Sequence, residues 1–393
     1  MLLVPALRRR LVHARLATSA MFLASGIGFG GWAALIPSIQ HGLGLGEGQL
    51  GSALLAFAVG AMLGMPVTGF ALTRFAAPLV ATVGALAFCV TQSLVPHASD
   101  LVGLCAIATV SGAFYGSLDV TVNAHASVVE RAYGATIMSS LHALFSIGGL
   151  AAAGLVGGLM ALGANAALCQ LAICGLIAVI VLASRRHMAL PAVPAAENDD
   201  VPTKGWPSAR VFGIGALVLL GFMVEGGMGD WSGVYFVSVI GTDLGIAPMA
   251  FAAFTVAMGL GRLTGDLVVN RLGAARTLWL GAAIGMAGLC LALAWPRVET
   301  GLVGFALVGI GAANIVPILI AAAGRDPGAP PGVNVSAVST LGYTGLLLGP
   351  PLIGFSAASF GLRTSLLLFA AAFAVIAVFS WLARPRVAPG KSR

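Results

Sequence analysis

Twelve apolar stretches, each about long enough to cross a bilayer as a helix, follow one another along the 393 residues. A hydrocarbon core of roughly 30 Å needs about 20 such residues. The stretches run 16–37, 50–72, 79–96, 101–126, 135–162, 164–183, 211–240, 249–269, 278–295, 302–323, 333–358 and 366–382. A helix satisfies its own backbone hydrogen bonds in lipid, whereas an open strand does not. The expected fold is therefore an all-α integral membrane protein with twelve transmembrane helices. The first stretch follows Arg8, Arg9 and Arg10, as a signal peptide would; its length and the eleven spans after it read as a retained helix. With 59% hydrophobic and 8% charged residues and a mean hydropathy of +1.01, a soluble enzyme is excluded. A soluble chain of this size must still present a polar surface.

The formal charge of +7 does not point to a nucleic-acid partner, because the basic residues form short clusters between apolar stretches rather than one face. Sorting the 20 basic residues among alternate loops places 17 on one side when the N-terminus is inside. Arg297 and Arg363 fall outside, and Arg262 lies near the inner end of span 8. Both termini are thus expected in the cytoplasm, with the chain in the inner membrane as a monomer. The five cysteines lie within apolar runs and show no metal-ligand spacing. No metal and no cofactor is expected. Gly26, Gly28 and Gly31 match a dinucleotide-binding spacing, but no strand precedes them. The Asn334-Val335-Ser336 sequon falls at the inner end of span 11 and is discounted.

Residues 184–209 turn polar and carry Pro191, Pro194, Pro202 and Pro207, which oppose a helix. They divide the chain into a six-helix bundle at 1–183 and a second at 210–393. The halves share a weak repeat: Trp32, Leu45, Gly46, Ala58 and Gly60 meet Trp231, Leu244, Gly245, Ala257 and Gly259 at a constant offset. Two copies of a six-helix unit joined by a cytoplasmic linker indicate a duplicated transporter.

The segments GFGGWAALIPSIQ, SLDVTVNAHASVVERAYGATIMSSLHALFSIGG, EGGMGDWSGVY, GRLTGDLVVNRLG and LGYTGLLLGPPLIG resemble the major facilitator superfamily. More narrowly, they resemble its YbjJ and MosC-like branch, related to the fucose permease group. The resemblance covers essentially the whole chain and implies a rocker-switch carrier whose cavity is lined by spans 1, 2, 4, 5, 7, 8, 10 and 11. The superfamily's cytoplasmic loop motif is eroded after span 2 to Gly69, Thr73 and Arg74. Its second copy keeps Gly265, Asp266, Arg271 and Gly273 with shifted spacing. By that resemblance Arg74, Asp266 and Arg271 are gate residues.

Charges inside lipid are costly, so their placement singles out candidate sites. The acids within spans are Asp119, Glu225, Asp230 and Asp266, and spans 3, 6, 9 and 12 carry no Asp, Glu, Lys or Arg. Ser111, Tyr115, Asp119 and Asn123 recur every four residues and share one face of span 4. His142 lies about as deep in span 5, with Ser139 and Ser146 on its face, within reach of Asp119 across adjacent helices. Asp119, His142 and Glu225 are the candidate proton-coupling residues; a fixed hydrogen-bonded cluster is the competing reading of Asp119 and His142. The glycines of EGGMGD are expected to let span 7 bend or unwind, with Asp230 a gate residue or an interfacial charge in water. Trp32, Tyr115, Asn123, Ser146, Asn314 and Tyr343 are candidate contacts for a hydroxylated ligand. Arg262 and Asp266, spaced i and i+4, are expected to pair as a latch.

These features fit a proton-coupled carrier of a small polar solute, with a sugar, polyol or inositol derivative suggested by the resemblance. Proton-driven efflux of amphipathic compounds is the alternative. An intramembrane enzyme using Asp119 and His142 fits the duplicated halves less well.

Overall fold

The computed structural model describes residues 5–133, 137–188, 205–327, 329 and 331–384, with the side chains of residues 5–8, 139, 266, 331 and 332 outside the description. Its described residues form helices and connecting turns without a strand. The helices are α1 (Pro5–Leu43), α2 (Glu47–Leu72), α3 (Ala77–Leu94), α4 (Leu101–Tyr133), α5 (Met138–Ala161), α6 (Ala166–Ser184) and α7 (Ala209–Tyr235). They continue as α8 (Ala247–Leu272), α9 (Ala274–Ala294), α10 (Val298–Ala312), α11 (Ile315–Gly324), α12 (Pro331–Phe360), α13 (Leu362–Ser365) and α14 (Leu367–Val378). Among the described residues, 11 helical segments are long and apolar enough to cross a bilayer, and a shorter apolar one covers Leu362–Val378.

Several helices outrun their apolar stretches. α1 has 39 residues and α4 has 33. Hydropathy marks where lipid contact ends, while the backbone ladder continues as long as its hydrogen bonds do. One span is broken instead: α10 and α11 are separated by a turn at Ala313 and Asn314. Pro317 explains the break, since residue 317 offers no N–H to the Ala313 carbonyl and its ring crowds that oxygen. A single glycine, Gly273 at φ +80°, joins α8 to α9, a backbone geometry that other residues rarely adopt.

The described residues group into two compact units. Met1–Pro194 with Asp243–Ala252 form the first, and Ala195–Thr242 with Ala253–Arg393 form the second. In the first, α1 packs along α5 and α2 along α4, with α3 against α4 and α6 against α1. Backbones approach too closely for side chains. A Cβ on Gly26 would lie 1.9 Å from the Phe145 carbonyl oxygen, and one on Gly60 would lie 1.9 Å from that of Thr109. In the second unit α7 packs along α12, where a Cβ on Gly345 would lie 2.1 Å from the Leu219 oxygen. α8 meets α10, where a Cβ on Gly309 would lie 2.2 Å from the Phe254 oxygen. Spans 1 with 5 and 2 with 4 therefore recur as 7 with 11 and 8 with 10. Without a hydrophobic drive between helices in lipid, such close approach is the main source of attraction, which gives these glycines within apolar runs their use.

Candidate functional site

In the first unit, α4 carries Ser111, Tyr115, Asp119 and Asn123 along one line, with Ser111 buried and the other three half-buried. Asn123 donates its amide to the Asp119 backbone carbonyl at 2.9 Å and to Oδ1 of the carboxylate at 3.2 Å. One turn away, the Tyr115 ring sits among Phe88, Phe57 and Phe29, at centroid distances of 5.3, 5.8 and 6.4 Å. Trp32 is buried and stacks on Phe57 at 5.3 Å with the planes 15° apart. Trp32 and Tyr115 thus belong to one aromatic cluster above Asp119. Sequence reasoning singled out two of its members and passed over Phe29, Phe57 and Phe88, because phenylalanine in an apolar run carries no signal of its own.

His142 is exposed on α5 and lies edge-on to the Phe22 ring, 5.2 Å away. The Ser146 hydroxyl is half-buried and donates to the His142 carbonyl at 3.3 Å, a bond within the helix. A histidine that sequence reasoning missed is better anchored. His125 is 5% exposed, with Nδ1 3.0 Å from the Thr18 hydroxyl and Nε2 2.7 Å from the Met188 carbonyl. It ties α4 to α1 and to the segment leaving α6. Glu130, near the end of α4, accepts the backbone N–H groups of Ile137 and Met138 at 2.7 and 2.9 Å and caps the start of α5.

The second unit holds an ion pair between α7 and α8. Glu225 is about 16 residues into α7, roughly 24 Å from its start, and Arg262 is about 15 residues into α8. Arg262 Nη2 donates to both carboxylate oxygens of Glu225 at 3.0 Å. Its Nε reaches the Ala313 carbonyl at 3.4 Å, the oxygen that Pro317 leaves without a helical partner. Asn314 donates to the Gly261 carbonyl at 3.0 Å, and a Cβ on Gly265 would lie 2.0 Å from the Asn314 side-chain oxygen. Glu225, Arg262 and Asn314, expected in three separate roles, thus form one polar cluster on α7, α8 and the α10–α11 break. The side chains of Arg262 and Glu225 are 31% and 25% exposed, so neither is fully enclosed by protein.

Several expectations are corrected. Arg262 stands mid-helix in α8 and three residues from the end of the apolar stretch Ala247–Gly265, as expected, but its guanidinium is taken by Glu225 and Ala313. Asp266, its expected partner, has a side chain outside the described residues. α7 runs unbroken through EGGMGD. The glycines there serve packing: a Cβ on Gly226 would lie 2.8 Å from the Leu346 oxygen, and one on Gly227 would lie 2.0 Å from the Phe369 ring. Asp230 is buried at 8% exposure rather than bathed in interfacial water. Beside it, Trp231 donates its indole N–H to the Pro350 carbonyl at 2.9 Å. Tyr343 is partly exposed and stacks on Phe222 at 5.8 Å. Arg74 is exposed and lies over the Phe70 ring at 4.3 Å, and Arg271 is exposed in the last turn of α8.

A second cluster escaped sequence reasoning. Arg210, at the start of α7, pairs with Asp326 at 3.2 Å, donates to the Leu382 carbonyl at 2.8 Å and reaches the Arg384 carbonyl. Ser208 donates to the other Asp326 oxygen at 3.1 Å, and buried Asn334 donates to the carbonyls of Asp326 and Ala329 at 3.0 and 3.2 Å. Asp326 was passed over because it lies in a loop. Asn334, set aside as a sequon, is a structural tie.

The family model for the Major Facilitator Superfamily matches residues 18–331. An uncharacterised MFS-type transporter of Yersinia pestis is 35% identical over 369 residues, covering 92% of this chain and 95% of that protein. Membrane protein MosC of Rhizobium meliloti is 27% identical over 366 residues, covering 93% and 88%. Among solved structures, the major facilitator transporter FucP in its outward conformation aligns with a TM-score of 0.60 and 19% identity, covering 94% of this chain and 98% of that one. With 11 membrane-length apolar helices among the described residues, a family model that matches residues 18–331 and relatives that match over most of their length, the chain belongs to the major facilitator superfamily and is a multi-pass membrane transporter.

Proposed function

We propose that the protein carries a small polar solute across the inner membrane together with a proton, by alternating access, with both termini in the cytoplasm. The observation that carries this reading is the placement of ionisable groups. Asp119 lies within α4 of the first unit, and Glu225 pairs with Arg262 near the middle of two helices of the second. An acid at such depth costs about 2.5–3.5 kcal/mol on insertion scales. A chain that retains Asp119 and Glu225 there has a use for their charge. Proton loading at Asp119 or Glu225 changes the relative stability of the inward-open and outward-open states, and the solute biases whichever state it binds more tightly.

In the first unit, the aromatic cluster of Trp32, Phe57 and Tyr115 supports contact with an apolar ring face, and Asn123 offers a hydrogen-bonding group; in the second unit, considered by itself, Asn314 and Tyr343 carry hydrogen-bonding groups. The orientation rests on the excess of basic residues in alternate loops. The test is the external pH of de-energised proteoliposomes as sugars, polyols and inositol derivatives are added in turn. The parent protein alkalinises the medium with its solute. Asp119→Asn folds and exchanges solute without moving protons. Unchanged coupling in Asp119→Asn removes Asp119 from the mechanism.

A further inference from the structure

We infer that Arg262 is a substrate-binding residue and that the transported solute carries a carboxylate, which Arg262 takes over when Glu225 is protonated; this rests on the carrier reading above. Arg262 stands 15 residues from the start of α8 and 10 from its end. Its guanidinium is held on two of its three nitrogens: Nε on Ala313, at the break that Pro317 imposes, and Nη2 on Glu225. Nη1 has no hydrogen-bond partner among the described residues, and the side chain is 31% exposed. An arginine fixed by its neighbours with one edge open is a preorganised anion receptor. Asn314 steadies that edge by holding the Gly261 carbonyl, adjacent in sequence to Arg262.

The charge count selects the class of anion. Packed against α7 near this level are Ile315 and Val316 of α11, Leu346 of α12 and Phe369 of α14, all apolar. Among the described residues, Arg262 is the charged group seen paired with Glu225; the side chain of Asp266, one turn on from Arg262, lies outside them. Empty, the site holds Glu225 as carboxylate and Arg262 as cation. Loaded, Glu225 has gained the proton and Arg262 pairs with the solute carboxylate. Both states carry the same net charge, so a monocarboxylate exchanges for the Glu225 carboxylate without leaving an uncompensated ion in a low-dielectric space. A phosphate dianion would leave one. A neutral sugar would leave Arg262 paired to Glu225 and have no means of driving proton uptake there. Movement of a hydroxylated acid with one proton is accordingly electroneutral.

The experiment uses proteoliposomes of the full chain with a luminal pH dye, the potential clamped by potassium and valinomycin. The probes are gluconate and glucuronate against glucose, sorbitol and myo-inositol. Expected is proton entry with an acid probe, unchanged when the potential is stepped, and none with the neutral probes. Glu225→Gln keeps counterflow of the acid and loses the proton signal, and Arg262→Lys weakens the acid by about tenfold or more. Arg262→Ala is not relied upon, because it strands Glu225. Proton entry with neutral probes alone overturns the acid assignment while the carrier reading stands. Acid transport unaltered by Glu225→Gln and Arg262→Lys overturns the exchange at this site. No signal with any probe, beside proton movement driven by amphipathic cations, overturns both.

Discussion

Arg363 donates its Nε proton to the carbonyl of Leu293 at 2.7 Å and reaches that of Ala294 with Nη2 at 3.4 Å. The hydroxyl of Tyr235 meets the preceding carbonyl, Ala292, at 2.7 Å. These three oxygens close α9, where Pro296 ends the supply of backbone donors. Arg363 thereby complements the negative end of the α9 dipole as well as its unpaired oxygens. It is one of two basic residues that the loop sorting leaves on the outer side, and capping gives the physical reason for the exception.

Arg363→Ala is expected to lower the thermal unfolding midpoint in detergent, at a cost of about 1 kcal/mol, since the side chain is largely exposed and water replaces part of its role. Arg363→Lys recovers some of the loss. A midpoint equal to the parent in both variants shows that water alone satisfies the end of α9.

The spans were legible because twenty apolar residues in a row have few alternatives, and the charged candidates were legible because lipid makes charge conspicuous. Partners were harder to read. Arg262 and Asp266 are neighbours on one helix by spacing, yet the guanidinium turns to Glu225 on another helix, a contact of sequence separation 37 that no periodicity encodes. Asp326 lies outside the apolar runs, and its value emerges only when Arg210 and Ser208 arrive from more than a hundred residues away. The EGGMGD glycines show the opposite failure. Glycine in a helix reads as weakness, but in lipid it marks where Leu346 and Phe369 press against the backbone.

That use of glycine is open to a direct comparison on α1 and α5. Gly26→Ala places a methyl 1.9 Å from the Phe145 oxygen, so α1 and α5 must separate, and a loss of about 1–3 kcal/mol or failure to fold is expected. Gly158→Ala on α5 meets nothing within 4 Å and gains up to about 1 kcal/mol of helix propensity. Monodisperse yield from size-exclusion chromatography separates the two. Equal yields argue against backbone contact between α1 and α5.

Arg210 and Asp326 are 11% and 0% exposed at the side chain, so removing one partner leaves a buried charge. Arg210→Ala is expected to cost about 3–5 kcal/mol, and the double change with Asp326→Ala less than the sum of the singles. Thermal unfolding of the four proteins gives the coupling. Additive losses mean that Ser208 and the α14-side carbonyls, not Asp326, hold Arg210 in place.

Pro317 is where fold and proposed mechanism meet. Pro317→Ala restores an N–H four residues after Ala313, so α10 and α11 join and the Ala313 carbonyl turns from Arg262 to its own helix. Removing a proline from a helix interior relieves about 3 kcal/mol of intrinsic penalty, so the variant is expected to be at least as heat-stable as the parent. Arg262 loses its Nε acceptor and is held by Glu225 alone. The expected result is a several-fold higher KM for acid counterflow in a protein that folds well, a combination that a general packing defect does not produce. Asn314→Ala removes the tie to Gly261 without straightening the span and should give a smaller rise. A Pro317→Ala protein with parental KM would show that the break shapes the helix but does not aim the guanidinium, leaving Glu225 as its sole guide.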